Sequence, residues 1–247
     1  MKRISILNIA FDAVKGNEAV SQILTACRSK QASPLAVVTP NPIMVMNAQK
    51  DKDLFSAITN ADLSLTDGVG IISAAKRMGT PLPERVTGID TGYAVLKKLA
   101  GIGGSVYLLG AKPGVAELAA DRLIKKLPGL RVVGTHDGYF ENNEEIISEI
   151  NERSPDLLVV CLGSPKQEIW VDTNREKICG VGAIICLGGA LDVWSGNTKR
   201  APSLFIRLHL EWLWRMLCEP KRIRELPKMI KFRSLTRKTR QKDPNIK

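Results

Sequence analysis

The sequence predicts an α/β fold: an open, mostly parallel sheet with helices on both faces (Rossmann-like), followed by a C-terminal basic helical appendage. Apolar, β-rich runs alternate with helix-period segments over roughly the first 195 residues, which is typical of a parallel sheet. The excess of positive charge is confined to the C-terminal end. These two observations predict a core at 1–196 and an appendage at 197–247.

Seven runs are predicted as strands because they are almost continuously apolar, as in strands buried on both faces. In chain order they are ISILNI, LAVVT, DLSLT, SVYLLG, LRVVGT, DLLVVCLG and GAIICLGG. Amphipathic stretches between them, such as 18–30, 115–126 and 144–153, are predicted as helices. A βα barrel is the competing fold, but it typically takes about 250 residues, and the basic tail leaves too few.

Charge separates the tail from the core. Residues 197–247 contain 15 Lys/Arg and four Asp/Glu, whereas residues 1–196 contain 21 of each. In the tail, Leu204, Leu208, Trp212 and Met216 are predicted to share one helical face, and Ile223, Leu226 and Ile230 another. Basic residues beside Trp and Leu on short helices favour an interfacial segment on an anionic membrane. A surface helix docked on the core is the alternative interpretation.

Composition also bears on the compartment. No run approaches the ~20 apolar residues of a membrane-spanning helix. Five cysteines, odd in number and without CxxC spacing, are typical of thiols in a reducing compartment. We therefore expect a cytoplasmic protein that associates peripherally with the inner face of the cell membrane. The sequence leaves the oligomeric state open, and the exposed apolar tail would allow a homo-oligomer.

The stretch DLSLTDGVG places Asp67 between a predicted strand and a pair of glycines. An aspartate there is most often the N-cap of the following helix. Ligands of open parallel sheets bind at the carboxyl ends of the strands, so Asp67 is also a candidate for a base above a substrate. Gly68 and Gly70 would then let a ligand approach the backbone.

Other strand ends carry weaker candidates. Thr39 and Asn41 present hydrogen-bonding groups in VTPNP, although Asn-Pro is also a common turn initiator. Arg85, in a proline-rich loop, suits bidentate contact with phosphate or is a solvated charge. Gln167 and Asp192 follow two Leu-Gly turns, and each also has a purely structural interpretation.

Several motifs are absent. There is no GxxxxGK[ST] loop, GxSxG elbow or GxGxxG fingerprint, and the two histidines, His136 and His209, have no nearby ligand cluster. The remaining chemistry is a reaction without metal or other cofactor that relies on a carboxylate and hydrogen-bond donors. Two other classes stay open: a nucleotide-dependent oxidoreductase that uses LLGAKPG, and a nucleic-acid-binding protein that uses the basic tail.

Taken together, the ordered blocks carry a family resemblance. They are TPNPIMVMNAQKD, LTDGVGI, PERVTGID, LLGAKPGV, PDLLVVCLGSPKQEIW, CLGGALDVWSGNTKRAP and EWLWRMLCEPKRIREL. Over about residues 4–226 the sequence resembles the WecG/TagA/CpsF glycosyltransferase family, and most of all its wall teichoic acid branch. The resemblance implies a metal-independent, inverting transfer of N-acetylmannosamine, or of its uronic acid, from a UDP-sugar. The implied acceptor is the 4-hydroxyl of N-acetylglucosamine on undecaprenyl diphosphate.

The resemblance also implies roles for residues. Thr39, Asn41 and Gln167 would line the pocket of the donor and reacting sugar, with Asp192 as a second acidic candidate. A sugar hydroxyl needs a base, and Asp67 is our choice. Arg85 and the tail arginines would neutralise the leaving UDP. Membrane contact is expected to complete the site, with these tail residues closing over the crevice: Arg215, Arg222 and Arg224.

Overall fold

The computed structural model describes residues 2–238 of the chain. Its strands are β1 (Arg3–Ile6), β2 (Ile9–Asp12), β3 (Leu35–Val38), β4 (Leu63–Ser64), β5 (Ser105–Gly110), β6 (Arg131–His136), β7 (Leu157–Cys161) and β8 (Ala183–Cys186). Six of them form one parallel sheet in the order β4-β3-β8-β7-β5-β6. The predicted open, parallel α/β architecture is confirmed.

Helices connect these strands. In chain order they are α1 (Gly16–Ser29), α2 (Pro42–Ala48), α3 (Lys52–Asn60), α4 (Val69–Arg77), α5 (Gly88–Ala100), α6 (Val115–Lys126), α7 (Asn143–Arg153), α8 (Lys166–Asn174), α9 (Ala190–Trp194), α10 (Ser203–Arg207), α11 (Glu211–Cys218) and α12 (Leu226–Lys238). Short 3₁₀ segments occupy Arg175–Lys177 and Pro220–Glu225.

The N-terminal run differs from the prediction. Instead of one strand of the large sheet, ISILNI turns back on itself, and β1 and β2 form a separate antiparallel hairpin. Leu7 and Asn8 both have positive φ, at 51° and 65°, as the two central residues of a type I′ turn require. Ile9 and Phe11 are thereby buried against the main core.

The sheet separates two apolar cores because successive side chains of a strand point to opposite faces. In β5, Val106 and Leu108 face α1, α5, α6 and α9. Tyr107 and Leu109 face the hairpin, α2, α3, α4, α7 and α8. Burial on both faces explains why the strands read as continuous apolar runs. Since the strands are parallel, their carboxyl ends all open at one edge of the sheet.

The tail crosses that edge and then returns to the core. The predicted continuous helix through Leu204 and Met216 is interrupted, because His209, between α10 and α11, has a φ of 58°. The last helix, α12, packs on α2 and α4, and its Phe232 is 2% exposed within the core on that face. The boundary predicted at Gly196 therefore precedes a helix that covers part of the core.

We expect Phe232→Ala to destabilise the protein by about 3–5 kcal/mol, because truncation of a buried phenylalanine removes its transfer free energy and leaves a cavity. Denaturant unfolding at equilibrium measures this loss. Ile230→Ala is the control on the same helix, since Ile230 is 63% exposed and its truncation should stay within about 0.5 kcal/mol. Equal effects of the two substitutions would contradict the docking of α12.

Candidate active site

A cavity opens at the carboxyl edge of the sheet, between the strand-end loops and the tail. It encloses about 870 Å³, including its mouth. From the core it is lined by Asn41, Pro42, Ile43, Asp67, Gly68, Val69, Gly70, Arg85, Thr87 and Ile89; from the tail by His209, Glu211, Trp212, Arg215, Met216, Arg222, Glu225 and Met229. The tail thus forms one wall of the cavity.

Asp67 lies in the wall that the core forms, three residues after the end of β4, and does not cap α4. The N-cap is Gly68, whose φ of 99° is in the region that favours glycine, and no side chain caps the helix there. The Asp67 carboxylate instead accepts a hydrogen bond from the backbone N–H of Gly88, at the start of α5. Its side chain is therefore held at the cavity from two loops.

The nearby glycines have a packing role. A Cβ atom added to Gly70 would lie 2.6 Å from Cγ of Pro42, and one added to Gly68 would lie 3.2 Å from Cδ of the same proline. We expected these glycines to leave room for a ligand, but the space beside them is occupied by the side chain of Pro42. They allow α4 to start against the first turn of α2.

The electrostatic environment of Asp67 combines opposing effects. Burial is the largest and raises the pKa of the carboxyl above its ordinary value, because it disfavours the charged form. The cationic Arg85 and Arg215 act to lower the pKa, while the carboxylate of Glu211 acts to raise it. The net direction is upward, which is the direction that a general base near neutral pH requires.

Arg85 is already paired in the structure. Its Nη2 donates to Oε2 of Glu211 in a close ion pair, and each side chain is 15% exposed. Its Nη1 lies 3.1 Å from Nδ1 of His209. Among residues 2–238, no group accepts a hydrogen bond from the buried Nε atom. The loop between α4 and α5 is thereby joined to α11.

The three tail arginines lie in different places. Arg215 is exposed and lines the cavity. Arg222 also lines it, and its Nε donates to Oε2 of Glu219 at 2.8 Å. Arg224 is exposed and is not among the described residues that line this cavity. Two of the three predicted tail arginines are therefore brought to Asp67.

A second cavity, of about 1030 Å³ including its mouth, adjoins the first. It contains Asp192 at the start of α9, and it shares Glu211, Arg215 and Arg222 with the first cavity. Basic residues that sequence reasoning missed line its walls: Lys112, Lys199 and Arg200. Lys112 follows β5, so its position at the end of a strand could have identified it as a site residue.

Thr39 and Gln167 lie beneath the site. Thr39 is buried, and its Oγ1 donates to the carbonyl oxygen of Cys186 at 3.3 Å. Gln167 is also buried: its Oε1 accepts from the N–H of Gly188 at 2.9 Å, and its Nε2 donates to Oε1 of Glu168 at 2.6 Å. Neither is among the described residues that line these two cavities. Both support the turn after β8.

Asn41 is the N-cap of α2 and also lines the first cavity. Its Oδ1 accepts hydrogen bonds from the N–H groups of Ile43 and Met44, at 2.9 and 3.1 Å. Asn41 therefore starts the helix, as the interpretation of Asn-Pro as a turn initiator predicted. A contact with a ligand would come from its Nδ2 group.

A shielded aspartate beside arginines, at the carboxyl edge of an open parallel sheet, is the arrangement of an enzyme that handles phosphate-bearing substrates. The family model described as "Glycosyl transferase WecG/TagA/CpsF family" matches residues 4–244. The chain belongs to this glycosyltransferase family, and the resemblance found in its sequence is confirmed.

Three relatives bear the name N-acetylglucosaminyldiphosphoundecaprenol N-acetyl-beta-D-mannosaminyltransferase. The one from Bacillus spizizenii is 35% identical over 196 residues, which cover 79% of this chain and 76% of the relative. The Bacillus subtilis protein is 33% identical, with coverage of 78% and 76%. The Staphylococcus aureus protein is 32% identical over 225 residues, with coverage of 91% and 88%.

Within residues 2–238, no helix combines the length and the apolar character needed to traverse a bilayer.

The raised pKa of Asp67 has a consequence for stability. Below the ordinary value of 3.8 the carboxyl is protonated in both the folded and the unfolded state; as pH rises through the folded pKa, burial of the charge destabilises the fold. We expect Asp67→Asn to be at least as stable as the wild type at neutral pH, with the difference vanishing in acid. Urea unfolding across this pH range measures it. A variant that is less stable at neutral pH would contradict the burial of charge.

Proposed function

We propose that this enzyme transfers N-acetylmannosamine from UDP-N-acetylmannosamine to the 4-hydroxyl of N-acetylglucosamine on diphospho-undecaprenol. The product is a β-1,4 linkage formed with inversion, an early step in the synthesis of the wall teichoic acid linkage unit. The observation that carries the proposal is Asp67, a shielded carboxylate in a cavity walled by arginines. The names of the three relatives support the same substrates.

Asp67 is the proposed base. The 4-hydroxyl oxygen of the acceptor attacks the anomeric carbon of the donor from the face opposite the UDP. As the new C–O bond forms, the hydroxyl proton passes to the Asp67 carboxylate. The bond between the anomeric carbon and the phosphate oxygen breaks, and its electron pair leaves with UDP. Burial favours the protonated carboxyl, so it also favours this transfer.

The leaving diphosphate gains negative charge, which the protein has to stabilise. Arg215 and Arg222 line both cavities, so they reach a diphosphate in either one. Arg85 lies beside Asp67, and its charge is shared with Glu211. Fixed cations in a partly desolvated site stabilise developing charge more strongly than water does. On this proposal the arginines act in place of a metal ion.

The acceptor's lipid requires a membrane surface beside the cavity. The tail exposes large apolar side chains, and basic residues flank them. The apolar residues are Leu204, Leu208, Leu217, Ile223, Leu226 and Ile230. We propose that this surface rests on the anionic inner leaflet of the cell membrane and brings the lipid diphosphate to the cavity.

The identity of the donor sugar has one close alternative. The same site would accept UDP-N-acetylmannosamine uronic acid or another UDP-hexose, since the arginines contact the diphosphate that all of these donors share. A panel of UDP-sugars, with a short-chain diphosphate-linked N-acetylglucosamine acceptor and with or without chelator, separates them. Fastest transfer of N-acetylmannosamine, unaffected by chelator, is the expected result.

We expect Asp67→Asn to lower kcat about 10²–10⁴-fold, the usual contribution of a general base, with UDP binding retained. Turnover of the panel's best donor and calorimetric titration with UDP measure the two effects. Thr59→Val, on the exposed side of α3, controls for losses of activity that arise during expression and purification of a variant. Unchanged turnover in Asp67→Asn would remove Asp67 from the mechanism.

We expect the double variant Ile223→Gln/Ile230→Gln to bind anionic vesicles more weakly, by roughly tenfold or more for each apolar side chain that no longer enters the bilayer surface. Co-sedimentation with phosphatidylglycerol/phosphatidylcholine vesicles measures it. The matched control is Leu118→Gln/Ile124→Gln, which changes two exposed side chains on α6. Equal losses in the two double variants would contradict a specific membrane surface.

A further inference from the structure

Glu211 is a second carboxylate in the cavity that contains Asp67, and the proposed reaction does not use it. It is the first residue of α11, and its side chain is 15% exposed. It lines both cavities, so it lies where they meet. A carboxylate at the meeting point of two sites for anionic substrates repels both substrates and therefore needs a physical reason.

The contacts of Glu211 supply that reason. One oxygen forms the close ion pair with Nη2 of Arg85, and the other lies 4.0 Å from Nε of Arg200. Arg200 is itself held by Asp90, through contacts of 2.6 and 2.8 Å. Glu211 therefore neutralises the guanidinium beside Asp67, and it is fixed from two sides while it does so.

Without Glu211, Arg85 would still have Asp67 beside it in this cavity, a carboxyl whose pKa its charge already lowers. A direct ion pair with an arginine favours the ionised form of a carboxylate and makes it a weaker base. Such a pair would also occupy the oxygen that has to accept the acceptor's proton.

The geometry points to Glu211 as a positioning residue that engages Arg85 and thereby leaves Asp67 free to accept a proton. The inference rests on the proposed role of Asp67 as a base. It concerns a residue that acts through Arg85 rather than one that touches the reacting atoms.

Other charged or titratable groups also face Asp67 and Glu211. They are Arg85 before α5, Asp90 in α5, Arg200 after α9, His209 before α11, Arg215 in α11, and Arg222 and Glu225 in the 3₁₀ segment after α11. The direct effect of Glu211 on Asp67 has the same sign as the effect through Arg85: both raise the pKa of Asp67.

The decisive experiment follows the titration of the Asp67 carboxyl by ¹³C NMR in the full-length protein, with Asp67→Asn to assign its signal. We expect Asp67 to titrate at lower pH in Glu211→Gln than in the wild type, with a smaller shift in Glu211→Asp, which keeps a carboxylate. In an Arg85→Gln background, Glu211→Gln should shift Asp67 less. His209→Asn is the control for the imidazole that lies beside Arg85.

Glu219→Gln is the matched control. It removes the same charge eight residues further along the tail, where Glu219 pairs with Arg222. It should move the Asp67 titration less than Glu211→Gln does. An unchanged titration in Glu211→Gln, or an equal shift in Glu219→Gln, would overturn the inference. If Glu211→Gln does not fold, Glu211→Asp tests the same direction of shift.

Activity provides the second measurement. The acidic limb of the pH profile of kcat/KM should move to lower pH in Glu211→Gln, and kcat on the plateau should fall several-fold because the base is weaker. The NMR titration needs no turnover, so the positioning role of Glu211 and the catalytic role of Asp67 can be contradicted independently. A shifted Asp67 titration with full turnover in Asp67→Asn would refute only the catalytic role of Asp67.

Discussion

The ion pair between Arg85 and Glu211 is the contact on which the candidate site depends. It joins a core loop to the tail across 126 residues of sequence, and both side chains are largely withdrawn from water. Withdrawing two charges from water is unfavourable unless each has its partner, so loss of either one leaves an uncompensated charge. The pair therefore couples the position of α11 to the loop beside Asp67. Without α11, the cavity loses the wall that contributes Trp212 and Arg215.

The tail meets two different environments. Phe232 of α12 is buried against α2 and α4, so this end of the tail is held by ordinary core packing. Ile223 and Ile230 face outward, where water is an unfavourable neighbour for them. One segment thus contributes to the core, to the cavity and to an exposed apolar surface. This arrangement places an exposed apolar surface beside the cavity that contains Asp67.

The sequence predicted the features that arise from local patterns. Continuous apolar runs predicted the parallel strands, and the strand-end position of Asp67 predicted its place at the open edge. The hairpin at Leu7 and Asn8 was missed because the turn lacks the glycine that usually marks it. Glu211 was not predicted as a site residue, because in the sequence it is one acidic residue within a basic tail. Its partner is distant in sequence, and no local pattern records such a pair. The buried positions of Thr39 and Gln167 likewise depend on how the turn after β8 packs.

The charges around Asp67 also link substrate binding to basicity in the proposed reaction. In the empty site, Arg85 and Arg215 favour the ionised carboxylate, while burial and Glu211 oppose them. A diphosphate that binds Arg215 brings negative charge into the same partly desolvated space, and it offsets the remaining cationic field. The affinity of Asp67 for a proton therefore rises when the donor is in place. As the bond to UDP breaks, more charge collects on the diphosphate and the effect grows. The carboxylate therefore becomes the strongest base at the stage when the acceptor hydroxyl releases its proton.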